Sequence, residues 1–299
     1  MTAPRRLLPN TTYLVTRHCT QHEWLLRGES DTNAIFLYWL AVAAERSGVE
    51  VHGFIQMADH WHAVVTDPKC TLPDFVHDLD LGVAFDMNSK LARRENFWSS
   101  GRTAIIPLQT ADLVVEKLAE MITHPVADGL VKSPGEWPGS LSTGLCEVHV
   151  ASRPKSRSAG SEESIPEQAR LECTMPPALR GLPSSEASRN LRARVAVLLE
   201  RARARARKGG GFLGADRVRT MPRSGPRAPS GGPVERKHWV TRLAKRVRLA
   251  LDAQMKDFLD AYNQALWIWR RHDRWVEFPD GTYLMRVLHR AVCRSPRTV

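Results

Sequence analysis

The chain has 299 residues, a net charge of +11 and 42% hydrophobic residues, so it is long enough to bury a full core and to hold two domains. Its most apolar run, residues 35–44, is too short to cross a bilayer, and the N-terminus lacks a signal-peptide pattern. The five scattered cysteines form no Cys-x-x-Cys motif, which argues against a disulfide framework and a zinc ribbon. We therefore expect a cytoplasmic protein with no membrane partner.

The first predicted elements are a strand followed by a turn, a helix and two further strands. Residues 11–28 hold the first strand and the turn, and residues 49–57 hold the second strand. Between them, residues 32–48 are predicted to be helical because apolar side chains recur at helical spacing, namely Ile35, Phe36, Trp39, Leu40 and Ala43.

The third predicted strand carries a histidine pair. His60 and His62 flank Trp61 in a run that continues into β-branched residues. Side chains at i and i+2 of a strand share one face, so the two imidazoles would stand side by side while Trp61 points to the opposite, buried face. Two neutral imidazoles on one strand make half of a divalent metal site. The alternative is a histidine pair at a strand edge that binds no ligand.

Three more elements complete the first predicted domain. Residues 71–94 are predicted to be helical, residues 97–108 to hold a fourth strand, and residues 111–123 to form a helix. His124-Pro125 should end that helix, because the residue before a proline disfavours helical dihedral angles. The order strand, helix, strand, strand, helix, strand, helix predicts an α+β fold, a ferredoxin-like antiparallel sheet with helices on one face.

The second half of the chain has a different composition. Residues 147–187 are rich in Ser, Pro, Glu and Arg and lack a regular period, which predicts a linker. Beyond the linker we expect a helix, a basic loop and two further helices, at 190–208, 212–236, 238–270 and 283–292. The predicted organisation is therefore a domain at 1–146, the linker, and a basic, mainly helical C-terminal extension at 188–299.

The positive charge is concentrated in this extension. Residues 201–250 contain 15 Lys and Arg against two acidic residues, a net charge of +13, while the rest of the chain sums to −2. Such a basic segment on a near-neutral body is typical of a polyanion-binding protein, although a solvated linker is the alternative. The arginines that we predict to contact DNA are Arg17 on the first strand and Arg201, Arg203, Arg205, Arg207, Arg217 and Arg219.

Several segments of the chain resemble the single-tyrosine transposases, a family that includes the REP-associated tyrosine transposases and carries a His-hydrophobic-His metal motif. The resemblance lies in residues 13–17, 51–54, 60–62 and 118–131, and it extends to the C-terminal pieces 211–214 and 278–283. It implies a ferredoxin-like fold, single-stranded or hairpin DNA as the partner, and a divalent metal, Mg²⁺ or Mn²⁺. A homodimer is one arrangement that it implies.

The chain departs from the family at the nucleophile. The family has a tyrosine, three residues, an asparagine or glutamine, and then Pro-Val; here Glu120 takes the tyrosine position and His124 the amide position. The resemblance thus implies that His124 is the third metal ligand and that Glu120 occupies the catalytic position. Glu116, Glu120 and His124 share one helix face by spacing, so Glu120 could also join the ligands, and such a donor set favours Zn²⁺ or Mn²⁺ over Mg²⁺.

These features predict a transposase-family protein that binds single-stranded or hairpin DNA for DNA transposition, by metal-assisted strand cleavage and joining. Because Glu120 cannot form a stable covalent ester with DNA, we expect the strand-transfer activity to be impaired or absent. Two alternatives remain. One is a non-catalytic DNA-binding protein derived from a transposase; the other is a metal-dependent nuclease in which Glu120 activates water.

Overall fold

The computed structural model describes residues 4–101, 103–155, 165–224, 245–271 and 273–295. The chain divides into two compact units. The first unit comprises Thr12–Thr66 and Pro73–Ser230, and the second comprises Met1–Thr11, Asp67–Leu72 and Gly231–Val299. Both predicted domain boundaries, at 146 and 187, fall inside the first unit, and the assignment of three segments stays a prediction.

A four-stranded sheet forms the centre of the first unit. Its strands are β1 (Thr11–His18), β2 (Glu50–Gln56), β3 (His60–Asp67) and β4 (Ala104–Pro107), in the spatial order β2-β3-β1-β4. β1 pairs with β4 and β2 pairs with β3, both antiparallel. This sheet confirms the predicted α+β fold, and its strand order is the ferredoxin-like one.

The two faces of β3 have different neighbours. Trp61 is fully buried, and its ring centroid lies 6.4 Å from that of Phe36 on α1 (Ser30–Ser47). The flanking His60 and His62 point to the opposite face, as the two-residue period of a strand requires. The prediction that Trp61 is buried away from the histidine pair is therefore confirmed.

Helix α2 (Leu72–Lys90) packs against α1 through a close contact at a glycine. A Cβ atom placed on Gly82 would lie 2.0 Å from the Trp39 indole, so only glycine fits beneath this ring. The indole is held in place because its Nε1 donates a 2.6 Å hydrogen bond to Asp86, which is itself fully buried.

Helix α3 (Ala111–Ala127) continues through the proline that was predicted to end it. Thr110 caps its N-terminus by accepting a hydrogen bond from the Leu113 amide at 3.2 Å, and Pro125 lies inside its last turn. The predicted end at His124-Pro125 is wrong. A proline costs the helix one backbone hydrogen bond, and here the burial of the residues around Pro125 outweighs that loss. His124 consequently stays in helical geometry.

The segment 147–187, predicted to be a linker, contains regular structure. β5 (Val148–Ser152) and β6 (Gln168–Glu172) form an antiparallel pair that contacts α1. In β6 buried and exposed residues alternate, with Ala169 and Leu171 facing inward. β6 has only five residues, with polar side chains at alternate positions, and so short a pattern does not identify a strand in the sequence. The neighbouring helix α1 supplies the apolar surface on which the strand packs.

Two basic helices follow in the first unit. α4 (Ser184–Lys208) confirms the predicted helix and begins earlier than expected, and α5 (Ala215–Thr220) lies in the region predicted to be a loop. α4 packs along α3, where Arg194 forms a two-pronged ion pair with Glu116; its Nη2 atom lies 2.6 Å from Oε1. The remainder of the predicted loop, from residue 225, lies outside the described residues.

The second unit contains α6 (Lys245–Arg270) and α7 (Leu284–His289), both within predicted helices. Its buried cluster consists of Ala265, Phe278, Met285 and Ala291. A turn lies at 279–282, where Gly281, with φ of 79°, accepts a 2.9 Å hydrogen bond from the Leu7 amide. Within the described ranges, no helix is both long and apolar enough to span a membrane.

The contact at Gly82 predicts a stability change. Gly82→Ala should lower the free energy of unfolding by about 1–3 kcal/mol, because the methyl group would displace the Trp39 ring. This loss should outweigh the gain of about 1 kcal/mol in helix propensity that alanine offers. Gly135→Ala is the matched control, since a Cβ atom there meets nothing within 4 Å. Urea unfolding of both variants measures the difference, and equal stabilities would contradict the packing argument.

Candidate metal centre and nucleic-acid interface

Three histidines from two elements converge on one buried position. β3 supplies His60 and His62, and α3 supplies His124 from its last turn. The ring centroids lie 4.6 Å apart for His60 and His62, and 5.2 and 5.1 Å from His124 to each of them. One nitrogen of each ring lies within 4.8 Å of the others, and no residue in the group is more than 8% exposed. Burial excludes bulk water, and the spacing suits three ligands of one ion.

Hydrogen bonds at Nδ1 orient the two strand histidines. The Asp59 Oδ1 atom lies 2.6 Å from Nδ1 of His60, and the Thr16 hydroxyl lies 2.6 Å from Nδ1 of His62. A protein partner at Nδ1 fixes the ring and leaves Nε2 as the nitrogen that binds a metal. The donor set of three imidazoles therefore fits a divalent cation, Zn²⁺ or Mn²⁺ better than Mg²⁺.

Further polar residues, which the sequence analysis missed, surround His60. Asp59 also accepts a hydrogen bond from Nδ1 of His22 at 3.1 Å, and the His18 ring stacks on His60 with centroids 4.7 Å apart. Burial lowers the pKa of His18 to about 3, with a smaller contribution from His60. Burial opposes ionisation of Asp59, yet its neighbour His60 and the hydrogen bonds from His22 and His60 hold the Asp59 pKa well below its ordinary value. His18 is thus neutral, whereas Asp59 is ionised and supports His60.

The sequence contained part of the signal for this outer layer. Asp59 directly precedes the histidine pair, and His18 and His22 are four residues apart at the end of the first predicted strand. The proximity of His18 and His22 to His60 could not be inferred from spacing, because it depends on how β1 lies beside β3.

Glu120 lies on the same helix as His124 and makes a different contact. Its Oε2 atom accepts a 2.8 Å hydrogen bond from the Lys117 ammonium group, and both side chains are buried. Glu116, the third member of the predicted helix face, is paired with Arg194. Among the described residues, two overlapping groups could hold an ion, His60 with His62 and His124, and His60 with His18 and Asp59; Glu120 belongs to neither.

Two of the four tyrosines lie in the first unit, and both are buried. Tyr13 is 2% exposed on β1, and Tyr38 on α1 donates a 2.5 Å hydrogen bond to the Pro166 carbonyl. The other two, Tyr262 and Tyr283, belong to the second unit. None of the four occupies the position of Glu120 on α3.

Arg17, predicted to contact DNA, makes contacts within the first unit. Its Nε atom lies 3.1 Å from the Asp80 carboxylate, and its guanidinium lies 5.8 Å from the centroid of the Trp98 ring. The side chain is only 14% exposed. Its predicted role in binding phosphate remains a prediction.

The other predicted DNA-binding arginines lie on α4 and α5. Arg203 is half-buried and donates a 3.3 Å hydrogen bond to the Lys132 carbonyl. The remaining five are exposed: Arg201, Arg205, Arg207, Arg217 and Arg219. The basic residues at 225–244 lie outside the described residues.

The segment 213–223, which we call the strap, is bound at both ends near the histidines. At one end the Gly214 amide donates to the Leu130 carbonyl at 2.8 Å, just beyond the C-terminus of α3. At the other end the Arg223 carbonyl accepts from the Trp24 amide at 2.7 Å, two residues after His22. α5 lies between these ends, so Arg217 and Arg219 belong to a segment that joins two loops leading from the histidine site.

The chain matches no protein-family model and no curated protein sequence. Among solved structures, it is similar to a REP-associated tyrosine transposase bound to a REP hairpin, with 15% identity, a TM-score of 0.37, and coverage of 46% of this chain and 81% of the other. It is also similar to a proposed transposase from Deinococcus radiodurans R1, with 19% identity, a TM-score of 0.28, and coverage of 36% and 85% respectively. Each similarity spans less than half of this chain.

The geometry predicts one divalent cation bound by the three histidines. Calorimetry with Mn²⁺ or Zn²⁺ should give one site that is lost in His60→Ala, His62→Ala and His124→Ala. Asp59→Asn should weaken binding by about 10–100-fold, because it removes the charge that supports the His60 ring. The exposed His77→Ala is the control and should bind like the wild type.

Glu120→Gln distinguishes a site of three histidine ligands from a site in which Glu120 is a fourth ligand. Because Glu120 is bonded to Lys117, this variant should keep the wild-type affinity for the metal. A loss as large as that of His124→Ala would show that Glu120 is a ligand and would contradict the three-histidine site. Circular dichroism checks that the variant is folded.

Proposed function

We propose that this chain is a transposase-family protein that binds single-stranded or hairpin DNA beside a divalent metal held by His60, His62 and His124. The observation that carries the proposal is the convergence of the β3 histidine pair with His124 of α3 in a buried position. A metal-binding histidine pair on a ferredoxin-like sheet is also what the sequence resemblance implies. DNA transposition is the process in which we place the protein.

The residues around the metal position have complementary roles in this proposal. Asp59 and Thr16 orient the strand histidines through their hydrogen bonds to Nδ1. A bound cation would supply the positive charge that neutralises the non-bridging oxygens of a phosphodiester. Arg217 and Arg219 on the strap would hold the neighbouring phosphates by charge.

Glu120 limits the chemistry that the site can perform. A carboxylate that attacked phosphorus would give a mixed anhydride, which water hydrolyses quickly, so the protein–DNA bond would not be conserved for strand joining. The carboxylate is moreover bonded to the buried Lys117. We therefore propose that strand transfer is impaired or absent.

The Lys117–Glu120 pair favours a non-catalytic DNA-binding protein as the second candidate. A water-activating base must reach the attacking water, and the Glu120 carboxylate is instead held by the Lys117 ammonium group at 2.8 Å. A metal-dependent nuclease that uses Glu120 as its base is thus the less favoured alternative. A homodimer and a cytoplasmic location stay predictions.

The missing tyrosine can be tested by restoring it. Wild-type protein should form no stable covalent adduct with an end-labelled DNA hairpin in Mg²⁺ or Mn²⁺. Glu120→Tyr places a phenol on the helix that carries His124, so a weak adduct should appear on a denaturing gel and vanish in Glu120→Tyr/His60→Ala. Glu120→Phe is the control without a nucleophile. A strong adduct from the unmodified chain would refute the assignment of Glu120.

The proposed role of the strap can be tested by the salt dependence of DNA binding. Arg217→Gln/Arg219→Gln should reduce the slope of log affinity against log salt by about 1.4 for single-stranded DNA, since each lost phosphate contact is worth about 0.7. The control Arg189→Gln/Arg192→Gln removes the same charge from the N-terminal half of α4 and should leave the slope unchanged. Equal slopes in both variants would contradict a specific role for the strap.

A further inference from the structure

The end of α6 and the turn after it expose two large aromatic side chains. Trp275 is 85% exposed and Trp267 is 57% exposed. Tryptophan has a large apolar surface and is highly buried on average, so two exposed rings within nine residues require an explanation. Large exposed apolar surface with polar groups around it is typical of interaction sites.

Arginine side chains stack on Trp267 and on Trp269, the two tryptophans within α6 near its end. The Arg271 guanidinium lies 3.7 Å from the centroid of the Trp267 ring, and that of Arg274 lies 3.6 Å from the centroid of the Trp269 ring. A guanidinium at this distance is stacked on the indole, which keeps its planar face and its charge presented together. The segment thus combines planar π surfaces with positive charge.

The core of the second unit holds one of these pairs in place. Trp269 is half-buried, packs against the cluster around Ala265 and Phe278, and lies 5.2 Å from the His289 ring, centroid to centroid. Arg274 therefore stacks on the Trp269 ring, whose position is fixed by packing. Little side-chain freedom would be lost when a planar ligand is bound there.

We propose that residues 267–275 form a stacking surface for unpaired nucleobases of single-stranded nucleic acid. This inference rests on the proposed function for its partner and adds the place where bases are bound. Every base offers a π face to an indole or a guanidinium, while arginine also attracts the adjoining phosphate. Bases inside a duplex are stacked on each other, so single strands, loops and ends are the targets.

The charges of the segment favour this partner over an apolar protein surface. Residues 267–275 contain three arginines and one aspartate, Arg270, Arg271, Arg274 and Asp273. All four are exposed. A polyanion is attracted by this excess of positive charge, whereas an apolar protein surface gains nothing from it.

The test compares the full-length wild type with Trp267→Ala/Trp275→Ala on two probes. One probe is a fluorescent oligothymidine, and the other is the same backbone with abasic sites. The variant should bind oligothymidine at least about 10-fold more weakly, because base–aromatic stacking is lost, while its salt slope stays unchanged. Both proteins should bind the abasic probe equally. Leu288→Ala, 68% exposed in the same unit, is the control and should behave like the wild type.

The outcomes separate this inference from the proposed function. If the variant binds oligothymidine as tightly as the wild type, the stacking surface is refuted and DNA binding by the chain stands. An equal loss on the abasic probe also refutes stacking, because it would show that the substitutions act on the backbone contacts or on the fold. If the wild type binds neither probe, the proposed function fails together with the inference.

Discussion

The structure of the first unit depends on the burial of three imidazole rings between β3 and α3. A buried polar ring is costly unless its nitrogens have partners, and this requirement ties several elements together. Asp59 precedes β3 and bonds His60, while Thr16 of the neighbouring strand β1 bonds His62. His124 reaches the group because α3 continues past Pro125. The register of the sheet, the length of α3 and the geometry of the histidine group therefore depend on one another.

Helix α3 connects this buried group to the basic part of the chain. One side of the helix provides His124 to the sheet, and another side binds α4 through the Glu116–Arg194 ion pair. The loop that follows α3 then accepts the strap through the Leu130 carbonyl. The position of the exposed arginines relative to the histidines is therefore set by the same helix that completes the group of three histidines.

The two units contribute different kinds of recognition to the proposed function. The first unit provides a metal position and phosphate-binding charge, neither of which depends on base identity. The second unit provides the exposed Trp267 and Trp275, together with arginines stacked on Trp267 and on the half-buried Trp269, and these planar groups suit the faces of unpaired bases. Under the proposed function, these two features together would distinguish single-stranded regions from duplex DNA by shape and stacking.

The sequence by itself determined the sheet and half of the site. The two-residue period of a strand placed His60 and His62 together and Trp61 on the other face, because that geometry is local. Local patterns could not decide whether Pro125 ends α3, whether 147–187 folds onto α1, or which partner Glu120 takes. The first two outcomes depend on burial by residues far away in the chain: packing carries α3 through its proline, and α1 covers β6. The third depends on the burial of Lys117, which lies three residues before Glu120 and binds it away from the histidines. Only the tertiary structure could decide them, since side-chain burial and pairing energies exceed the local preferences that a sequence displays.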